Sequence, residues 1–185
     1  LGDEQVLFVG LHSATSERYP RNHVGVRMWD LATRTEAGLL ITRCGEVRDL
    51  DVSPDKRFLA VSFRDGSVEI WDWRWRKLLQ RLSIGRGGTD NAIIPGLDFH
   101  PGGGMLATAC HDGRITLWST TTWRELARID ASHEQSVSYG DTRFKGIVKE
   151  VRFSPDGRWL LAAVRDELWV IDLREQDDAV AAMLR

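Results

Sequence analysis

Short runs in which β-branched, aromatic and small residues alternate with polar ones recur along the chain, each bounded by Pro, Gly or Asp. Alternation with a period of two is the mark of a half-buried strand, and the bounding residues supply tight turns. LDVSP, RFLAVSF, VEIWDW and KLLQRLSI read as four successive strands, and LDFHP, MLATAC, ITLWS and RELARI read as the next four. Helical periodicity is absent until AVAAMLR at the end, where Asp177 and Asp178 suit helix N-cap positions.

The strand pattern is itself repeated. VRMWDL, VEIWDW, ITLWST and LWVIDL place Trp29, Trp71, Trp118 and Ile171 in one column, roughly forty to fifty residues apart. A second column, LDVSPD, LDFHPG and VRFSPD, lies upstream of the last three. Between the two falls a third, in which FRDGSV carries Asp65 and Gly66, CHDGRI carries Asp112 and Gly113, and VRDELW carries Asp166 followed by Glu167. The Ser-Pro-Asp and Asp-Gly pieces are turn chemistry, because Pro presets φ while Asp and Gly tolerate conformations that bulkier residues avoid. A four-stranded meander of this period is one blade of a β-propeller.

The spacing, the Trp-Asp ends Trp29-Asp30 and Trp71-Asp72, and the Asp-Gly turns resemble the WD-repeat family over about 5–173. The resemblance implies an all-β fold of four-stranded antiparallel blades, about four of them, with incomplete terminal blades. The blades are expected at 1–43, 44–86, 87–132 and 133–173, followed by a tail at 174–185 with a short helix. It also implies a hydrogen-bonded tetrad in each blade: a turn Asp, a second-strand Ser or Thr, a third-strand Trp and a His before the first strand. Carried over, Asp65, Ser62 and Trp71 serve one blade and Asp112, Thr108 and Trp118 the next, with Asp166 in the turn column of the last. No histidine stands at 43–46 or 87–92, so incomplete tetrads are expected.

In this register Trp71 and Trp73 are core residues. Trp75 falls in the column of Thr33 and Thr122, in the turn between third and fourth strands, and Trp123 lies one place further along in the next blade. Both are candidate partner anchors, since buried Trp and Arg dominate interface energetics; the plainer reading lays both indoles over neighbouring strands.

Composition narrows the function. The chain has 185 residues, 42% hydrophobic and 28% charged, with a net charge of −2, so no global charge pulls it toward nucleic acid or anionic membrane. Cys44 and Cys110 suit free thiols in a reducing, cytoplasmic setting, and no apolar run approaches membrane-spanning length. There is no G-x-S-x-G elbow, no C-x-x-C and no Walker-type loop; His133-Glu134 lacks a second His four residues on, and GRGGTD lacks the Lys and following helix of an anion site. HPGGG at 100–104 reads as turn chemistry, and His111-Asp112 has no placed nucleophile. No catalytic, cofactor or metal residues are assigned.

What remains is a surface. The resemblance implies peptide binding on the face carrying the turns between second and third strands. Its columns hold Arg64, His111 and Arg165 before the turn, and Arg48, Pro95 and Lys149 near the first strand. Four of these six are cationic at neutral pH. The loops at 13–23 and 132–146 add Arg18, Arg21, Arg143 and Lys145 to the same face. Such a rim favours an acidic or phosphorylated peptide, and the expected function is a non-catalytic protein-interaction scaffold. The alternatives are a regulatory or gating propeller domain of a larger enzyme and a nucleic-acid-contacting propeller. Incomplete terminal blades are expected to be completed by further blades, a second copy or another protein.

Overall fold

The structure is a computed structural model describing residues 6–10, 25–41, 46–84, 93–131, 137–139, 142–144 and 147–175. The described chain is almost all β. The first sheet joins β1 (Val6–Gly10), β2 (Gly25–Asp30) and β3 (Thr35–Ile41) in sequence order. The second joins β4 (Val47–Val52), β5 (Phe58–Phe63), β6 (Ser67–Asp72) and β7 (Lys77–Ser83). The third joins β8 (Gly96–Phe99), β9 (Met105–Ala109), β10 (Arg114–Ser119) and β11 (Glu125–Asp130). A small hairpin, β12 (Val137–Tyr139) with β13 (Thr142–Phe144), lies in the stretch expected to be a loop. The last sheet joins β14 (Val148–Phe153), β15 (Trp159–Val164) and β16 (Glu167–Asp172), ending in a 3-10 turn at Leu173–Glu175. The tail residues Asp177 and Asp178 lie outside the described residues. Among the described residues no helix is long and apolar enough to cross a membrane.

The sheets are antiparallel meanders, as wanted by partial WD blades, and the repeat holds at the level of register. Trp29 faces Leu7, Trp71 faces Leu59, Trp118 faces Leu106 and Ile171 faces Leu160 across the second and third strands. Pairing with the fourth strand shifts register just before each of the three tryptophans. A bulge at one recurrent place bends and twists each sheet in the same sense.

Alternation decides the packing. Val68 and Ile70 of β6 are buried against Ile94, Leu97 and Phe99 of the third sheet, and Ile115 and Leu117 of β10 are buried against Val151, Phe153 and Leu160 of the last. Val26 and Met28 of β2 join Val61, Trp71 and Trp73. Each fully buried aliphatic or aromatic side chain stabilises by about 1.5–3 kcal/mol. On β16 the corresponding Leu168 and Val170 are 64% and 59% exposed, with no following sheet over them among the described residues.

Carboxylates tie the first strands together. Asp49 accepts the Leu97 N–H at 2.9 Å and Asp51 accepts the Phe99 N–H at 2.7 Å, linking β4 to β8. Asp98 accepts the Phe153 N–H at 2.6 Å, linking β8 to β14, and Arg152 donates back to Leu97 O at 2.7 Å. Burial, reinforced by the nearby Asp51, outweighs the Phe153 N–H and pushes the Asp98 carboxyl up to about 6. His100 adds a peg. Its Nδ1 accepts the Gly102 N–H at 2.9 Å and closes its own turn, which leaves Nε2–H to donate to Gly157 O of the last sheet at 2.9 Å. The ring also stands edge-on to Phe153.

Candidate partner-binding faces

The rim face is built by one backbone bond used three times. Arg64 N–H donates to Glu46 O at 3.1 Å, His111 N–H to Ile93 O at 3.0 Å, and Arg165 N–H to Ile147 O at 2.9 Å. Each bond closes the space between the start of a blade's first strand and its turn between second and third strands. The residues bonded on the first-strand side, Glu46, Ile93 and Ile147, stand two places before Arg48, Pro95 and Lys149. Two carboxylates temper these charges: Glu46 lies 3.1 Å from Arg48 and 3.3 Å from Arg64, and Asp166 lies 3.9 Å from Lys149. Burial, with Arg48 close by, pushes the His111 imidazole below its usual value, so it is neutral at pH 7. The side chains of Arg18, Arg21, Arg143 and Lys145 lie outside the described residues.

The tetrad residues behave differently from blade to blade. In the third sheet Trp118 Nε1–H donates to the buried Thr108 Oγ1 at 3.0 Å. Asp112 does not reach this pair; its carboxylate grips Arg114, which also donates to Ile84 O. In the second sheet Ser62 Oγ donates instead to Ile94 O of the third sheet at 2.9 Å, and Trp71 Nε1–H turns to Glu69 Oε2 at 3.1 Å. Glu69 is almost completely buried, and its charge is met by Arg81 at 2.5 Å from the fourth strand. Asp65 closes its own turn by accepting from Ser67 N–H and Oγ–H. The tetrad expectation for Ser62 and Trp71 therefore fails, because an acidic residue two places before the indole competes successfully for its N–H.

Asp166 is a second correction. Its side chain is fully exposed, because the turn between β15 and β16 holds only Arg165 and Asp166, with Val164 paired directly to Glu167. The equivalent turns contain a glycine in the left-handed region, Gly66 at φ 84° and Gly113 at φ 91°; here Arg165 takes that conformation at φ 54°. One residue fewer swings the carboxylate outward.

On the opposite face the two turn tryptophans part company. Trp75 is 82% exposed, whereas Trp123 folds edge-on against Phe58 of the preceding sheet, with ring centroids 5.4 Å apart. Trp123 sits at φ 54° and Arg76 at φ 51°, so these two are the register equivalents and Trp75 stands one place earlier in its turn. Cys110 is a buried free thiol pushed up to about 12 by burial, which leaves it inert at neutral pH; Cys44 lies outside the described residues.

Comparison with known proteins agrees with this geometry. The family profile described as WD domain, G-beta repeat matches residues 39–72 and 79–119. The chain is 30% identical over 112 residues to small ribosomal subunit protein RACK1y of Oryza sativa subsp. japonica, covering 60% of this chain and 28% of that protein. It is 28% identical over 140 residues to human apoptotic protease-activating factor 1, covering 75% of this chain and 10% of that protein. With the LST8 homolog of Drosophila melanogaster it shares 28% identity over 111 residues, 55% of this chain and 34% of that protein. In each case the match spans about a third or less of the relative's own length. Profile match, blade register and sheet topology agree that residues 39–72 and 79–119 are WD repeats and that the sheets on either side resemble them.

Proposed function

We propose that the chain is a non-catalytic protein-interaction scaffold whose rim face takes an acidic or phosphorylated peptide. WD-repeat proteins typically act as interaction scaffolds, which supports the general reading. The specific reading is carried by one observation, the recurrent N–H···O=C bond that holds Arg64, His111 and Arg165 at one height in successive blades. Arg48 and Arg64 there share the carboxylate of Glu46, and Lys149 lies 3.9 Å from Asp166. A phosphate or carboxylate between neighbouring arginines gains charge-assisted hydrogen bonds, each stronger than a neutral one. The buried free thiol of Cys110 supports a cytoplasmic setting.

The same reading includes an element that covers Leu168 and Val170, since their counterparts in the other sheets are buried by the next sheet. Arg64→Ala with Arg165→Ala is expected to weaken binding of a phosphorylated peptide about tenfold or more, with the melting temperature unchanged. Isothermal titration with both proteins checks this, and equal affinities would remove the rim from consideration.

A further inference from the structure

Every seam between sheets joins a forward face to a receiving face, and each face uses fixed columns. Val26 and Met28 of the first sheet bury against Leu59 and Trp71 of the second. One sheet further on, Val68 and Ile70 bury against Leu106 and Trp118, and next Ile115 and Leu117 pack against Leu160 and Ile171. The forward pair stands one and three places before the column of Trp29, Trp71, Trp118 and Ile171. The receiving pair is that column together with the second-strand leucine opposite it. The fit tolerates imperfection, since the first seam keeps a cavity of about 340 Å³ beside Val6, Phe8, Val52 and Trp73.

Two half-seams are left over. The forward pair of the last sheet, Leu168 and Val170, is exposed. So is the receiving side of the first sheet: Leu7 is 48% and Val9 38% exposed, where their counterparts Leu59 and Val61 are fully buried. Leu31, in the column of the buried Trp73, is exposed as well. These five are most of the large exposed apolar side chains among the described residues, and the others lie on β7 and in the turn before it. One leftover face is forward and the other receiving, the arrangement that lets a molecule pack head to tail onto a copy of itself.

The inner strands point to the same partner. Asp51 and Asp98 occupy one column of LDVSPD and LDFHPG, and each ties its strand to the next first strand through the Phe99 or Phe153 N–H. In VRFSPD that column holds Arg152, which turns back to Leu97 O and pairs with Glu150 at 2.8 Å. The last sheet therefore carries no carboxylate in this column for a following first strand. The described part of the first sheet brings no such strand, because β1, β2 and β3 stand in the columns of second, third and fourth strands. A full four-stranded sheet would leave its inner N–H unmet there; the three described strands of a second copy do not.

We infer that Leu168 and Val170 of one copy pack on Leu7, Val9 and Trp29 of a second, and reciprocally, so that two copies close into a ring of eight sheets. Eight sheets fall within the range that propellers form. The inference rests on the reading above that an element covers Leu168 and Val170, and it names that element; the rim face stays free.

Sedimentation velocity of the full chain between about 1 and 100 μM tests it. Twice the chain mass is expected, with a Kd of about 1 μM or below, because two equal interfaces form in each pair. Leu168→Glu with Val170→Glu gives a monomer, and so does Leu7→Lys. These side chains are exposed in the single chain, so circular dichroism of both variants stays unchanged; if Leu7→Lys misfolds, Leu31→Lys takes its place. Mixed at about 100 μM, the two monomeric variants pair with each other. One native interface re-forms between them and the other sets the new carboxylates against the new ammonium, which separates head-to-tail packing from a face meeting its own kind. Arg64→Ala with Arg165→Ala stays dimeric. The inference is overturned by a monomer throughout, by an open-ended series of larger species, by a dimer that survives either face variant, or by variants that do not pair when mixed. In a monomer, anilinonaphthalene sulfonate fluorescence that falls on substitution of Leu168 and Val170 keeps the covered-face reading for a different partner, and no such fall removes that reading as well.

Discussion

At the seam between the second and third sheets Trp123 lies edge-on to Phe58, and Asp49, Asp51 and Ser62 all bond to backbone across the gap. At the seam between the first and second sheets the register equivalent of Trp123 is Arg76, which reaches over the groove to donate to Ala37 O at 2.8 Å. The equivalent of Phe58 is Val6, by their common pairing to Asp72 and Asp30. Two smaller or polar residues at the same columns leave a cavity where the neighbouring seam is filled. Identical topology thus yields one seam that is filled and another that keeps a cavity, and the two differ at these two side chains.

The contrast can be broken most forcefully in the cores. Phe99→Ala, in the filled seam, is expected to cost about 3–5 kcal/mol, while Phe8→Ala, already half open to the cavity, should cost about 2 kcal/mol or less; urea midpoints of the two variants compare them directly. Next comes a tie. Asp51→Ala leaves the Phe99 N–H without its acceptor and should cost about 1–3 kcal/mol, and amide exchange at Phe99 should speed up with it.

A pH series sharpens the picture at the third seam. The Asp98 carboxyl titrates near 6 when folded and near 4 when unfolded. Between those values the folded state holds the extra proton, so its contribution is complete below about pH 4 and is lost as pH rises through 6. Burial pushes Asp51 and Glu150 in the same direction, with Arg152 the opposing cation and Asp49 adding negative charge. Asp98→Asn should flatten stability against pH across that window by about 1 kcal/mol, discounted because the carboxyl is only half buried. The smallest effect is expected at Trp75→Ser, within about 0.5 kcal/mol in a thermal melt, because the indole is solvent-exposed.

Repetition is what made the fold readable. Trp29, Trp71, Trp118 and Ile171 are far apart in sequence, yet all fall on third strands opposite a leucine, so one register argument places four sheets. Trp73 is buried, as a core position in that register, and Trp75 is exposed rather than laid over neighbouring strands. Column reasoning stops where a neighbour in the same blade changes the local competition. Glu69 takes the Trp71 N–H from Ser62, and one residue fewer before Glu167 turns Asp166 to solvent. It stops again where two blades meet. His100 reads as a turn residue in HPGGG, and only the approach of Gly157 gives its second nitrogen a task. The seam cavity is likewise invisible along the chain, since its walls come from β1 and from the second sheet, some forty residues further on.

The ties between first strands have a kinetic consequence. Pairings inside a sheet join residues close in sequence, for instance Leu59 with Trp71, whereas Asp49 must find Leu97 and Asp98 must find Phe153. Closing those longer loops costs more chain entropy before any bond rewards it. Each meander can therefore gather first and dock afterwards, with assembly running from sheet to sheet as in other repeat arrays. The first sheet, docked across the cavity-bearing seam, is then the unit that peels away soonest under mild denaturant.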